Sequence, residues 1–317
     1  MFTTVQTVTP KAGTAIELRA VSKHFYQRQP AKSLADWLSP KRRQIPALDD
    51  VSFSVARGEF LAYAGPNGAG KSTTIKLLSG MLTPTTGEVT VLGLSPLKER
   101  IPLMRRVGVL FGNRRELWSD HPVSASFRWK REVWGVPKAV FDEMESLVLE
   151  LLDIRPFYQT LARELSLGQR MRAELGMMLL HRPELILLDE PTLGLDVLAK
   201  RQIIAFLKEL NERDQTTILV TSHDMDDLEE MARRILLLSN GKVAFDGDFS
   251  ALRGALKLGK KALVRFRNQS LREIPYDDIG ALLQELSALE GVAEIEFAQN
   301  SLEEGLADLF SSWKAPS

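Results

Sequence analysis

The chain has 317 residues, of which 44% are hydrophobic and 26% are charged, and its formal net charge is +0. This length allows one large domain with a small one, or two domains, and the balanced charge gives no global attraction for nucleic acid. The absence of cysteine excludes disulfides, thiolate metal sites and a cysteine nucleophile. No run approaches ~18 consecutive apolar residues, so we predict no membrane span. We expect a cytoplasmic protein, because the N-terminus lacks a signal pattern.

The N-terminal part of the sequence indicates two strands separated by an inserted segment. Residues 1–14 are rich in threonine and are predicted to form a flexible tail, and residues 15–25 begin with a strand-like pattern. Residues 27–46 contain three prolines and the basic cluster Lys41–Arg43. We interpret this segment as an insertion, either a solvated loop with a short helix or a docking surface that uses Trp37 and the basic cluster.

The middle of the sequence alternates between strand-like and helix-like segments. Residues 47–65 are typical of two strands joined by a turn. Residues 184–191 and 216–224 are short apolar runs typical of buried parallel strands, and a helix-like stretch at about 197–213 separates them. This alternation predicts an α/β domain with a mostly parallel sheet.

Residues 251–317 show a different pattern. The segments 262–267 and 293–298 alternate like strands, while 279–289 and 302–313 carry apolar residues at helical spacing. We therefore predict a β-α-β-α order and a small α+β domain. Acidic residues dominate its second half, which indicates either a solvated face or a contact with a partner.

A glycine-rich loop carries the strongest chemical signal in the chain. The sequence GPNGAGKST matches the phosphate-loop pattern G-x-x-x-x-G-K-[ST], follows an apolar strand and opens a helix. Its backbone N–H groups can surround a phosphate at the positive end of the helix dipole. Lys71 is predicted to reach the β- and γ-phosphates of a nucleotide, and Ser72 to bind Mg²⁺. The candidate phosphate-binding residues are Gly65, Pro66, Asn67, Gly68, Ala69, Gly70, Lys71, Ser72 and Thr73.

Two acidic residues end an apolar run further along the chain. In the sequence LILLDEP, Asp189 and Glu190 stand at the end of a predicted strand, where consecutive side chains point in opposite directions and can take different roles. Asp189 is predicted to hold the Mg²⁺ shell through water. Glu190 is predicted to polarise the attacking water as a general base. Two acids could also simply cap a strand, but the phosphate loop disfavours that alternative.

Three more motifs follow in a fixed order, namely LSLGQR at 165–170, LLDEPTLGLD at 187–196 and TSHD at 221–224. Together with the phosphate loop they resemble the ATP-binding subunits of ABC transporters over residues 15–250. The resemblance implies an ABC-type P-loop ATPase that hydrolyses ATP with Mg²⁺. Its expected architecture is a mostly parallel core sheet, an antiparallel β subdomain and a helical subdomain at about 114–180.

The resemblance also implies a head-to-tail pair of ATPase subunits that encloses two ATP molecules. Each site would take its signature residues from the other subunit. The family usually has two glycines in this signature, whereas this chain has Leu167 followed by a single glycine. The residues expected to act in trans are Ser166, Leu167, Gly168, Gln169 and Asp196.

Two further roles come from the resemblance alone. His223 would contact the γ-phosphate and hold the geometry of the attacking water and Glu190. An aromatic residue before the insertion normally stacks on adenine; Phe25 and Tyr26 both qualify, and we favour Phe25.

Asn113 stands where the family usually has glutamine. The glutamine amide oxygen meets Mg²⁺ and the attacking water, and its loop relays the state of the site to the permease. Asparagine keeps the amide but reaches about 1.5 Å less far. Two outcomes are possible. In the first, which we favour, the loop moves inward or a water bridges the gap. In the second, water completes the Mg²⁺ shell and the coupling of ATP hydrolysis to transport is looser.

Within the family, the insertion, the FGNRRELW segment and the acidic tail resemble the ATPases of ABC-2-type exporters. An importer ATPase, or a soluble ABC ATPase without a transport role, is the alternative. The expected partners are a separate transmembrane permease and a second copy of this chain as a homodimer, with no nucleic acid. The chain would then be peripheral at the cytoplasmic face of the membrane, attached through the permease.

The region from 114 to 134 is rich in aromatic and basic residues. In the family it leads into the helical subdomain, where a groove receives a short cytosolic helix of the permease. We predict that several of its aromatic side chains line that groove, with core packing as the alternative. The four aromatics are Trp118, Phe127, Trp129 and Trp134.

Overall fold

The structure is a computed structural model that describes residues 13–28, 42–112, 116–256, 258–276, 278–299 and 301–314. Asn113 and Trp37 lie outside the described residues, as do residues 1–12, which make up most of the predicted tail. The chain divides into two compact units. The larger unit comprises 1–223 with 227–246, and the smaller comprises 224–226 with 247–317.

The strands described before residue 250 form two sheets. In chain order they are β1 (Thr14–Arg28), β2 (Arg42–Ala56), β3 (Phe60–Ala64), β4 (Thr86–Val91), β5 (Val107–Phe111), β6 (Leu185–Asp189), β7 (Thr217–Thr221), β8 (Arg234–Ser239) and β9 (Lys242–Asp248). The six-stranded sheet has the order β5-β6-β7-β3-β8-β9, and its four pairings from β5 to β8 are parallel. The three-stranded sheet has the order β2-β1-β4 and is antiparallel. The mostly parallel core sheet and the antiparallel subdomain are therefore confirmed.

The central strands are apolar except at their ends, because both faces of the sheet are covered. Every residue of β3 and β7 is buried, and so are the first four residues of β6. The exception in β6 is its last residue, Asp189, which is only half-buried. Since parallel strands end at the same edge of a sheet, this edge collects the polar residues that follow β3, β6 and β7.

The predicted insertion at 27–46 is too long. Strands β1 and β2 pair continuously out to Phe25↔Ile45 and Arg28↔Arg42, so Arg42–Pro46 belongs to an antiparallel ribbon rather than to a loop. The side chains of Phe25, Tyr26 and Ile45 on this ribbon are exposed. The sequence of this ribbon lacks an alternating apolar pattern, because the ribbon is held by backbone hydrogen bonds and not by burial of alternate side chains.

The helices of the larger unit follow the strands of its sheets and fill the segment between β5 and β6. They are α1 (Lys71–Leu78), α2 (Arg100–Met104), α3 (Val123–Trp134), α4 (Lys138–Leu151), α5 (Leu167–Leu179), α6 (Val197–Asp214) and α7 (Met225–Met231). Helix α3 ends at Gly135, whose φ of 61° places it in the left-handed region that favours glycine. The next helix begins after its N-cap Pro137, whose ψ of 139° is extended.

The smaller unit contains one strand more than the sequence indicates. Its elements are α8 (Phe249–Leu256), β10 (Lys260–Phe266), β11 (Leu271–Tyr276), α9 (Ile279–Ser287), β12 (Val292–Gln299) and α10 (Leu302–Lys314), and its sheet has the order β11-β10-β12. The predicted β-α-β-α order is therefore wrong, because β11 was missed. Pro275 made this segment a poor strand candidate, but β11 is an edge strand, where a missing backbone N–H is tolerated.

Each unit has an apolar core of its own. In the smaller unit Ala262, Val264 and Ile274 of the sheet pack with Leu282 and Leu286 of α9. The core of the larger unit joins side chains from both of its sheets and from α1. None of the helices in the described ranges combines the length and hydrophobicity needed to cross a membrane.

Candidate functional site

The phosphate loop joins β3 to α1, as the sequence predicts. Gly65 and Gly70 have φ values of 150° and 113°, and a Cβ at either would lie within 2.5 Å of a backbone oxygen. At Gly68, with φ of 81°, a Cβ would meet nothing within 4 Å. The loop is therefore tightly packed on its protein side and open at Gly68. Gly70 also provides no capping side chain for α1, so the first N–H groups of the helix remain suited to an anion.

Lys71 is folded against its own loop. Its ammonium group donates to the carbonyl oxygen of Gly65 at 2.6 Å and to that of Pro66 at 3.4 Å, and the residue is buried. Burial lowers the pKa of Lys71, while the nearby carboxylates of Glu190 and Asp189 raise it. The loop lysine and the two strand-end acids are thus brought together, although they are more than a hundred positions apart in sequence.

Thr221 is a residue of this site whose role the sequence reasoning missed. It lies opposite Asp189 in the parallel register of β6 and β7 and is completely buried. Its hydroxyl donates to Asp189 Oδ1 at 2.8 Å and accepts the backbone N–H of Glu190 at 3.1 Å. One side chain therefore orients both acids. The available signal was a hydroxyl at the end of an apolar strand, at the first position of the TSHD motif.

Glu190 has an unusual backbone conformation. Its φ of 60° is in the left-handed region, which a residue with a side chain occupies at a cost. Its N–H is held by the carbonyl oxygen of Thr221 at 3.1 Å in addition to the hydroxyl. Strain of this kind is often found where a side chain must be aimed for function, and here it sets the direction of the Glu190 carboxylate.

The carboxylate of Glu190 contacts His223. The distance from His223 Nε2 to Glu190 Oε1 is 2.9 Å, and the histidine is the more exposed of the two. Burial raises the pKa of Glu190, whereas His223 and Lys71 lower it. A carboxylate with a raised pKa is a better proton acceptor, so the site provides the electrostatic conditions for the role predicted for Glu190.

The structure allows a direct test of whether Mg²⁺ fits. Among the described residues no group of three or more histidines, cysteines or acids could hold a metal ion on its own. Mg²⁺ commonly takes one or two protein ligands together with phosphate oxygens and water. Ser72, exposed at the start of α1, and the oriented Asp189 match that requirement. Asn113, the third predicted ligand, lies outside the described residues.

The predicted signature residues form the start of α5. Ser166 is the N-cap and accepts the N–H of Gln169 at 3.2 Å, while Gln169 Oε1 accepts the N–H of Ser166 at 2.9 Å. This is a complete capping box. Leu167 in the first turn is exposed, and Gly168 is close to Ala199, where an added Cβ would lie 3.0 Å from the alanine Cβ.

Asp196 also caps a helix. Its Oδ1 accepts the N–H of Ala199 at 2.9 Å and so begins α6. The flanking side chains of Leu193, Val197 and Leu198 are between 62% and 69% exposed. The structure thus places an exposed apolar surface around Asp196, next to the signature turn.

The aromatic predictions divide into three cases. Trp118 is 39% exposed and stacks on Trp129 with ring centroids 5.2 Å apart. Trp134 stacks on His181 at 4.7 Å. Phe127 is fully buried, with its ring near Gly176 in the core of the helical segment. For Phe127 the structure therefore shows core packing, the alternative to a place in the groove, because helical spacing alone cannot tell a core position from a surface one.

Phe25 is exposed on the β1–β2 ribbon with the Lys23 ammonium 5.5 Å from its ring centroid. A cavity of about 580 Å³ is lined by Arg57, which precedes β3, and by residues near the starts of β6 and β7, among them Arg182 and Glu184. Because it opens at the sheet edge opposite Asp189, and because its arginines are paired with acids, it is not the nucleotide site.

Comparison with known proteins shows which family the chain resembles. The ABC transporter family matches residues 48–193. The chain is 35% identical over 205 residues to the energy-coupling factor transporter ATP-binding protein EcfA1 of Lacticaseibacillus paracasei, covering 64% of this chain and 73% of that protein. It is 31% identical over 212 residues to the methionine import ATP-binding protein MetN of Carboxydothermus hydrogenoformans, covering 66% and 63%.

A solved structure has the same fold. The ATP-binding cassette MJ0796, solved as a dimer in a post-hydrolysis state bound to ADP and Pi, aligns with a TM-score of 0.62 at 24% identity. The alignment covers 74% of this chain and 98% of that one. The phosphate loop, the paired acids and these relatives lead to one conclusion. The chain belongs to the ABC transporter family and is an ATP-binding subunit that hydrolyses ATP.

Proposed function

We propose that this chain binds and hydrolyses ATP to drive the export of a substrate through a separate transmembrane permease. One observation carries the proposal for the chemistry. Lys71 at the phosphate loop faces the two acids at the end of β6, and Thr221 and His223 hold those acids in place. Thr221, whose hydroxyl makes two of these contacts, is completely buried.

In this proposal each residue has one task. Glu190 takes the proton of the attacking water, and His223 holds the Glu190 carboxylate and the γ-phosphate. Lys71 turns from its loop carbonyls to the β- and γ-phosphates, where its charge stabilises the transferred group. Ser72 and, through water, Asp189 would hold Mg²⁺, with Asn113 as a further ligand, and the ion would supply positive charge to the phosphates. Phe25 stacks on adenine.

We further propose that two copies of the chain form the working pair. The apolar side chains exposed around Asp196 and at Leu167 support this, since a contiguous apolar surface usually marks an interaction site. In the pair, the start of α5 faces the phosphate loop of the other copy. Ser166 and Gln169 then exchange their mutual hydrogen bonds for contacts with the γ-phosphate.

The permease is the expected membrane partner and would place this chain at the cytoplasmic face. The surface we assign to it is at the start of the helical segment, where the exposed Trp118 packs against the half-buried Trp129. Export is favoured by the resemblance of the FGNRRELW segment and the tail to exporter ATPases. Import is the second candidate, because the name of the relative MetN specifies it.

Co-expression with a candidate transmembrane permease tests the coupling. We expect the two proteins to co-purify, and the permease in vesicles to raise the rate of ATP hydrolysis. Transport of a candidate substrate out of the compartment that contains this chain supports export, and transport into it supports import. ATP hydrolysis without any association with a membrane protein would contradict the transport role.

A further inference from the structure

A buried carboxylate on the signature helix holds the chain that follows Asn113. Glu174 lies in α5, eight residues after the N-cap Ser166, and only 5% of it is exposed. Both of its carboxylate oxygens accept the backbone N–H of Glu116 at 3.1 Å, and Oε1 also accepts that of Leu117 at 3.2 Å. A single side chain thus takes up two consecutive backbone donors.

This carboxylate has a clear energetic cost. Burial raises the pKa of Glu174 to about 7, and the two backbone N–H groups act against that rise. An uncharged residue would fill the same volume without the desolvation penalty. The residue is therefore better explained by what it holds than by packing, because a charge-assisted hydrogen bond fixes a backbone position more strongly than an apolar contact does.

A second contact holds the same segment from its other side. Lys130 of α3 is 3% exposed, and its ammonium group lies 3.3 Å from Glu116 Oε2 and 4.0 Å from the ring centroid of Trp134. The main chain of Glu116 is thus held by Glu174 and its side chain by Lys130. Two buried, oppositely charged residues from two helices meet at this one position.

The preceding part of the chain is attached elsewhere. The N–H of Gly112, at the end of β5, donates to the carbonyl oxygen of Asp189 at 2.9 Å. Only three residues separate Gly112 from Glu116 in sequence. One end of this short connection is therefore fixed to the strand end that carries the acids, and the other end to the helix that begins at Ser166.

We propose that Glu174 is a positioning residue that makes residues 116–117 move together with the signature helix. This proposal rests on the proposed function, in which Ser166 contacts ATP that is bound by a second copy of the chain. Ser166 and Glu174 are about 12 Å apart along the helix axis, and an α-helix transmits a displacement over that distance. Engagement of Ser166 then displaces the segment 116–117 and thereby the start of the Trp118 surface.

Hydrogen exchange measured by mass spectrometry tests the proposal, with Glu190→Gln as the parent because it retains ATP. Without nucleotide, we expect Glu174→Ala to raise amide exchange at 116–117 roughly tenfold. Adding Mg²⁺ and ATP to the parent should slow exchange both at 166–170 and at 116–117. In the double variant the slowing at 166–170 should remain, while that at 116–117 should be lost.

Controls separate this role from a general loss of structure. Glu174→Gln keeps one carbonyl acceptor, should give an intermediate effect, and carries the test if Glu174→Ala does not fold. Glu150→Ala, at an exposed position of α4, should resemble the parent. With Glu190 intact, Glu174→Ala should lower kcat for ATP about tenfold with little change in KM, since the phosphate loop is untouched.

Failure of the role of Glu174 and failure of the proposed pairing of two copies would give different results. Unchanged exchange at 116–117 in both Glu174 variants, with or without ATP, would overturn the proposal. Absence of any response to ATP at 166–170 in the parent would instead contradict the proposed pairing of two copies. In that case the nucleotide-free measurement still decides whether Glu174 holds the segment.

Discussion

The Thr221 hydroxyl donates to Asp189 Oδ1 at 2.8 Å, across the parallel pair formed by β6 and β7. The same oxygen accepts the N–H of Glu190. Since the hydroxyl is fully buried, no water can replace either bond. The orientation of Asp189, which we propose binds Mg²⁺, and that of Glu190, which we propose is the general base, therefore both depend on one side chain to which the sequence alone assigned no role.

Thr221→Val keeps the shape of the side chain but removes both hydrogen bonds. We expect kcat for ATP hydrolysis to fall about tenfold or more, because a buried acceptor loses its donor and the two acids are no longer fixed. KM should change little. Thr221→Ser, which retains the hydroxyl, is the matched control and should recover most of the activity. Steady-state assays with Mg²⁺ decide, and wild-type kcat in the valine variant would contradict this role.

Glu184 should make stability depend on pH. Hydrogen bonds from Arg106, with help from Arg57, lower the pKa of Glu184 from 4.5 to about 2. An acid with a lowered folded pKa stabilises the protein fully above its unfolded pKa and loses that contribution as pH falls through the folded value. The urea midpoint of Glu184→Gln should therefore lie below wild type at pH 7, and the gap should narrow from pH 4.5 downward.

The control for this measurement is Glu143→Gln, which removes an exposed ion pair with Arg182. Exposed pairs contribute little, so its midpoint should stay near that of wild type. ATP hydrolysis per folded molecule should be unchanged in both variants, since both positions are remote from the end of β6. If the difference in urea midpoint between wild type and Glu184→Gln stays constant from pH 7 to pH 3, the lowered pKa of Glu184 is not the cause of the pH dependence.

Ser166→Arg tests the pairing of two copies. Together with Glu190→Gln, it should abolish the ATP-dependent dimer seen by size-exclusion chromatography with light scattering, because the long side chain occupies the space of the partner's phosphate. Ser119→Arg, at an exposed position in the same unit, should leave the dimer intact. An ATP-dependent dimer that forms equally well in the Ser166→Arg variant would exclude the signature turn from the interface.

The Trp118–Trp129 pair tests the permease surface. Trp118→Ala with Trp129→Ala should leave ATP hydrolysis by the isolated chain within about twofold of wild type, because neither ring touches the site. Co-purification with the permease and stimulation by it should be lost. Trp134→Ala removes an aromatic of the same helix that stacks inward on His181 and is the control. Full stimulation in the double variant would show that the permease binds elsewhere.

The sequence predicts the residues of the candidate site better than it predicts the edge strands and the burial of single aromatic residues. The phosphate loop and the end of β6 are predictable because their function fixes both residue type and spacing, and because buried parallel strands are continuously apolar. Strand β11 and the ribbon end near Ile45 were missed because edge strands need no such pattern. Phe127 and Trp129 both lie in α3, yet one is fully buried and the other only half-buried, which the packing of the helix decides and the sequence does not.

Thr221 and Glu174 illustrate a second limit. Each acts through hydrogen bonds to residues more than 30 positions away, and no spacing pattern in the sequence links either one to those partners. A threonine at a strand end and a glutamate within an amphipathic helix are ordinary in sequence. Their roles follow only from the register of β6 on β7 and from the approach of residues 116–117 to α5.

The central claim is that Glu190 is the general base of an ATP-hydrolysing site. Glu190→Gln keeps the size of the side chain and a hydrogen-bonding group for His223, but it cannot accept the proton. We expect its rate of ATP hydrolysis to fall at least about 100-fold, with ATP still bound tightly and the dimer retained. Glu88→Gln, at an exposed position on β4, should hydrolyse ATP at the wild-type rate. Hydrolysis by Glu190→Gln at the rate of wild type would contradict the account.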